Sequence, residues 1–186
     1  MKIKRSRSKI LLFCFAIIIL LLYIQVLKNA GPNENIPLPG ELHPVLAYQS
    51  DILIQQADAK GISMIITDDF RSFHEQEKLY AIGRTAEGKI VTYAQAGESY
   101  HNFGLAVDFA LLNGEGQAIW DMDFDGNRNG QSDWMEVVEL AKGLGFEWGG
   151  DWKQFKDYPH LQMDCGLSIR DLQRGERPPE QTSASK

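Results

Sequence analysis

Cysteine is nearly absent from this sequence. Only Cys14 and Cys165 occur among 186 residues, and Cys14 lies inside an apolar run, so a disulfide framework is excluded and any folded part is held by its core alone. Excess positive charge is also lacking. The first thirty residues carry six basic side chains and no acidic ones, which leaves 13 basic against 25 acidic residues, a net of −12, for the rest. A domain so charged would be repelled by phosphate backbones, which excludes nucleic acid as a partner. Internal repeats and low-complexity tracts are missing as well. The roughly 155 residues after the N-terminal segment are enough for one domain with one core.

One long hydrophobic run is present. Residues 1–9 carry five basic side chains and lead into "ILLFCFAIIILLLYIQVL", 18 residues from Ile10 to Leu27 whose only strongly polar member is Gln25. That length just spans a bilayer. A cleaved signal peptide competes with this reading, but Lys28 stands two positions before the only suitable cut, at Ala30, so an uncleaved anchor is favoured. The basic flank keeps the amino terminus in the cytoplasm and sends the remainder across. The expected organisation is therefore a basic segment 1–9, a transmembrane anchor 10–27, a Pro- and Gly-rich linker 28–44, a folded domain 45–170 and a disordered tail 171–186. The expected location is the cell membrane, single-pass with the domain outside; secretion after signal cleavage is the alternative.

Within the domain, apolar residues at helical spacing from Val45 to Ala57 predict a helix stopped near Gly61. "ISMIITDDF" is rich in β-branched residues and predicts a strand. A helix should begin near Ser72, where Ser72 and Glu75 fit a capping box. "ESYHNFGLAVDFA" predicts the next strand, with Leu105, Val107, Phe109 and Leu111 on a core face. The opposite face offers Gly104, Ala106 and Ala110 as a shallow floor on which the Asp108 carboxylate stands. "DWMEVVELAKGLG" predicts an amphipathic helix, and "FEWGGDWKQFKDYPHLQMD" a Gly-Gly turn and a short last strand. The fold class expected is α+β: a small, mostly antiparallel sheet carrying the site, with helices packed on its other face.

Catalytic zinc usually takes three protein ligands from His and Asp or Glu. His101 and Asp108 are two candidates, although alone they are equally a structural pair. Beyond residue 80 the chain has only two histidines, so His160 is the natural third. Alternation in "HLQMD" turns His160 and Gln162 away from the core side of Leu161 and Met163. Asp157 joins them only if the Tyr158-Pro159 step bends the chain, which proline favours. It would then be a general base for water.

These residues resemble a known family. "SYHNFGLAVD" fits Ser-x-His-x-x-Gly-x-Ala-x-Asp and "DYPH" fits Asp-x-x-His, a pairing similar to the M15 zinc peptidases. The likeness runs from about Leu46 to Met163, and "DDFRSFHEQEKLYAIGRT" and "LGFEWGGDW" look most like the L-alanyl-D-glutamate endopeptidase branch. The resemblance implies that His101, Asp108 and His160 hold one zinc ion and that Asp157 is the catalytic base. It implies that Arg71 stabilises the developing oxyanion, while pairing with Asp68 or Asp69 is the plainer role for that residue. Ser99 and, more weakly, Gln76 match substrate-site positions. The implied substrate is a peptidoglycan stem peptide. D-alanyl-D-alanine carboxypeptidase activity and a non-catalytic wall-binding module are the alternatives.

Three further features compete for a role. "DGNRNGQSDWME" fits a calcium loop, with Asp125, Asn127, Asn129, Asp133 and Glu136 as side-chain ligands. No entering helix precedes it, and Asp133 with Glu136 equally makes a helix cap, so a polar turn is favoured over Ca2+. Trp148 and Trp152 flank the Gly-Gly turn as groove or core residues. His43 and His74 are expected to be solvated.

Overall fold

The computed structural model describes residues 15, 17–22 and 37–179. The expected membrane anchor, residues 10–27, lies largely outside them. Among the described residues no helix is long and apolar enough to cross a membrane.

Helix α1, Pro44–Ala59, starts on the Pro44 ring, which suits a first helical turn. It ends as expected, with Gly61 at φ +76°. Strand β1, Met64–Asp68, follows. Helix α2, Phe73–Ala81, opens on the anticipated Ser72–Glu75 capping box. The segment before Ala106 is not strand. Tyr100–Phe103 winds into a 3-10 turn that ends on Gly104 at φ +68°, and β2 runs only over Ala106–Leu112. A Cβ on Gly104 would lie 2.4 Å from the Glu41 carbonyl oxygen. Glycine therefore lets the incoming linker cross the turn, and the His43 amide bonds the Gly104 carbonyl at 2.9 Å.

Strand β3 is Ala118–Ile119, helix α3 is Asp133–Gly143, and the short strands β4 and β5 are Glu147–Trp148 and His160–Gln162. Strands run in the order β1-β2-β5-β4, with β3 also on β2, and every pairing is antiparallel. Helices α1 and α3 cover one face. Leu53, Ala57, Trp134 and Val137 meet Val107, Phe109, Leu111 and Leu161 in a fully buried core. Phe109 and Trp134 rings pack at 4.5 Å. Emptying the Phe109 position would cost about 3–5 kcal/mol and loosen the strand that carries Asp108.

Two expectations about caps and ends are corrected. The Ser132 hydroxyl, rather than Asp133, caps α3 by accepting the Met135 amide, because Ser132 has extended backbone and Asp133 is already helical. Helix α4, Ile169–Gln173, with a Ser168–Asp171 capping box, falls partly within the stretch expected to be a disordered tail. Leu172 is buried beside Phe103 and Leu105, which gives this end of the chain a small core of its own. Residues 180–186 lie outside the described residues.

Candidate metal centre

Sheet register alone brings two candidate ligands together. Asp108 and His160 are direct partners across β2 and β5, so their side chains leave the same face. A register shift between Ile66 and Asp68 also sets Asp68 opposite Asp108. His101 reaches the group from the 3-10 turn. His101 Nε2 lies 3.2 Å from His160 Nδ1, and each stands 3.3 Å from Asp108 Oδ1. Metal–nitrogen bonds of about 2.0–2.1 Å in a tetrahedron imply ligand separations of about 3.3 Å. The triangle therefore has the edge length zinc requires.

Protons are directed away from its centre. His101 Nδ1 is 2.7 Å from the Asp69 carbonyl oxygen, an acceptor only, so it must donate there and leave Nε2 as a lone pair. His101 and His160 are both buried, and Asp108 Oδ1 is buried without a hydrogen-bond donor. Converging lone pairs beside an orphaned carboxylate oxygen would be costly without a cation. These residues fit a metal ion. Among the described residues they are the one His/Cys/Asp/Glu cluster whose ligand atoms converge, within 4.8 Å of one another.

Asp157 does reach this face. The chain bends so that the Asp157 amide bonds the Gly149 carbonyl at 3.2 Å and the His160 amide approaches the Asp157 carbonyl at 3.4 Å. Gly149 permits the bend, since a Cβ there would stand 2.4 Å from the Asp157 carbonyl oxygen and 3.1 Å from the His160 Cβ. Burial, and then the Asp108 charge, push the Asp157 carboxyl above its ordinary value, with His160, His101 and Arg71 opposing. A carboxylate so raised is a stronger base than one in water.

Arg71 lies beside the triangle. Its guanidinium pairs with Asp68, donates to Gln76 Oε1 at 2.9 Å and stands 3.9 Å from Asp108 Oδ2. Arg71 therefore makes the plainer pair with Asp68 and also lines the cleft. Gln76 is corrected. It is fully buried behind Arg71, spanning from that guanidinium to the Ala94 carbonyl, and it does not line the cleft. Asn102, which the sequence reading passed over, donates to the Arg71 carbonyl at 2.8 Å and accepts the Gly97 amide at 3.0 Å.

A cleft of about 710 Å³ opens over these groups, and Ser99 lines it as expected. The two tryptophans part company. Trp148 is buried and donates to the Tyr158 carbonyl, whereas Trp152 lines the cleft with its ring 5.0 Å from that of His160. Tyr93 and Phe155, edge to face at 5.8 Å, form an exposed rim that no sequence pattern announced.

The calcium expectation is not supported. Glu136 Oε1 takes the Lys60 ammonium at 2.9 Å, and Oε2 takes the Asn127 and Asn129 amides. Asp125 accepts the Asn129 and Gly130 amides, and Asp133 accepts that of Gly126. Internal donors, one of them a full positive charge, thus occupy both oxygens of Glu136 and of Asp125 and one of Asp133, leaving Asp133 Oδ1 alone without a donor.

Three ligand atoms converging on one point, with a half-buried carboxylate and a held guanidinium on the same cleft, define a metallopeptidase centre. A sequence model described as D-alanyl-D-alanine carboxypeptidase, of the M15 peptidases, matches residues 92–163. The chain is 62% identical over 130 residues to the peptidoglycan L-alanyl-D-glutamate endopeptidase CwlK of Bacillus subtilis (strain 168), covering 70% of this chain and 78% of that protein. It is 32% identical over 112 residues to the L-alanyl-D-glutamate peptidase of Listeria phage A118, covering 60% of this chain and 34% of that one. The solved L-Ala D-Glu endopeptidase ChiX of Serratia marcescens aligns with TM-score 0.46 and 24% identity over 70% of this chain and 84% of that one. The chain belongs to the M15 peptidase family.

Proposed function

We propose that this protein is a zinc-dependent endopeptidase that cuts the L-alanyl-D-glutamate bond of peptidoglycan stem peptides outside the cytoplasm, held at the membrane by its apolar N-terminal run. The observation that carries the reading is the proton-free triangle of His101, Asp108 and His160, with sides of 3.2 and 3.3 Å. Support for the bond comes from the 62% identical Bacillus subtilis enzyme, an L-alanyl-D-glutamate endopeptidase. Support for the membrane comes from the basic residues 1–9 followed by the 18 residues of Ile10–Leu27.

His101, Asp108 and His160 would hold zinc, which when bound would supply a Lewis acid able to acidify water near neutral pH. Asp157 accepts the proton of the attacking water on its carboxylate and delivers it to the departing amine. Arg71, fixed by Asp68 and Gln76, meets the negative charge that grows on the carbonyl oxygen. Ser99 and Trp152 line the space where the substrate lies.

Carboxypeptidase action needs a cation for the terminal carboxylate. Arg84 is one candidate, but its guanidinium already donates to the Tyr80 and Thr92 carbonyls and stacks 3.8 Å over the Tyr80 ring. That observation favours the endopeptidase reading. A non-catalytic module would have no use for a base beside the metal. Digestion of purified muropeptides with product masses distinguishes the three readings. Fragments beginning at D-glutamate are expected; loss of one terminal D-alanine would turn the reading to a carboxypeptidase, and no product with zinc present would leave only a binding module.

A further inference from the structure

We propose that Gln162 and Glu147 form a relay that fixes the tautomer of His160, and so decides which of its nitrogens faces the metal; this rests on the metal reading above. Gln162 follows His160 by two residues in β5, so the two side chains share a face. It is buried, and Glu147 is its direct cross-strand partner in β4. His160 Nε2 lies 3.0 Å from Gln162 Oε1, and Gln162 Nε2 donates to Glu147 Oε2 at 2.9 Å.

The chemistry of the three groups permits one arrangement. A carboxylate only accepts, so Glu147 must face the amide NH2 of Gln162. That turns the amide carbonyl toward His160 Nε2, which must then carry the proton. Nδ1 is left as the lone pair, and it is Nδ1 that stands 3.3 Å from Asp108 Oδ1. A flipped amide would set carbonyl oxygen against carboxylate, losing that bond, and NH2 against Nε2, which would move the proton to Nδ1 and onto the side of Asp108. Glu147 is exposed at the protein surface, so the anchor of the relay is reached from solvent while its working end is buried. His101 needs no such device, because the Asp69 carbonyl oxygen already fixes its proton. Outer hydrogen bonds of this kind orient metal-binding imidazoles and raise their basicity. Gln162 and Glu147 are thus positioning residues that act through His160.

The test is the zinc dissociation constant of the full chain, measured by competition with a chromophoric chelator, together with kcat and KM at saturating zinc. Gln162→Met keeps the bulk of the side chain but cannot accept from Nε2, and zinc binding should weaken about 10- to 100-fold with KM little changed. Exposed Glu147→Gln, which frees the amide to flip, should weaken it less and leaves folding undisturbed should the buried variant fail to fold. Exchange of the pair, Glu147→Gln with Gln162→Glu, restores an acceptor to His160 and a donor behind it, and should recover most of the loss. A merely structural pair would lower Tm in the single variants and leave zinc affinity alone. Zinc constants within about twofold of the parent in both single variants, with the parent itself binding zinc, would overturn the relay. A parent that binds no zinc would overturn the metal reading and the relay with it.

Discussion

Two polar clusters in this chain carry the spacing of a metal site, and they differ in where their protons are. At His101, Asp108 and His160 every neighbouring donor points outward, so three acceptor atoms meet with nothing between them. In the loop from Asp125 to Glu136 donors of the chain itself meet every carboxylate oxygen but Asp133 Oδ1, with Lys60 supplying the charge. Motif spacing is similar in quality at the two places. What separates them is the supply of internal donors, since a ligand set becomes a metal site only when no proton can take the metal's place.

The contrast is broken most severely at its centre. His101→Ala should abolish turnover and reduce bound zinc from one equivalent to none, read by metal analysis after dialysis. Asp157→Asn should keep the zinc and lower kcat by about 10²–10⁴. In the parent, activity requires ionised Asp157 and falls as pH drops through its pKa. Burial has raised that pKa, so the acid limb of kcat/KM should sit above the range of an ordinary carboxylate and vanish in the variant. Arg71→Lys should cost about 10²–10³ in kcat with a smaller change in KM, because an ammonium lacks the planar fork that lets the guanidinium hold Asp68 and Gln76 while facing the cleft.

The smallest effects belong to the loop. Calcium should leave Tm where it was, whereas Lys60→Met should lower Tm by leaving buried Glu136 without its cation. Lys60, then Asn129 and Asn127, hold the Glu136 carboxyl below its usual value. Its contribution to stability is therefore full above the unfolded carboxylate pKa and lost as pH falls through the lower folded one. Thermal melts across that acid range should show the Lys60→Met deficit shrinking as pH drops.

Much of this was legible from residue pattern. Alternation in "LAVDFALL" separated the core face of β2 from the face bearing Asp108, and "DYPH" announced the bend that returns Asp157 to His160. The α+β class and the Ser72 cap followed from period and chemistry. Four things were not legible, each for a reason of distance or packing. The 3-10 turn that delivers His101 depends on the linker crossing at Gly104, a contact between segments sixty residues apart in sequence. Gln76 matched a substrate position, yet tertiary packing buried it behind Arg71. The Lys60 ammonium that closes the loop comes from the end of α1, 76 positions away, and no local spacing reveals it. Leu172 likewise orders the stretch expected to be a tail because it finds Phe103 and Leu105.

Removal and return of the metal tests the central claim most directly. The purified chain should lose muropeptide cleavage on exhaustive chelation and regain it as zinc is added, with the titration breaking at one equivalent. Cleavage that survives complete metal removal, or zinc that binds without restoring it, would contradict the account.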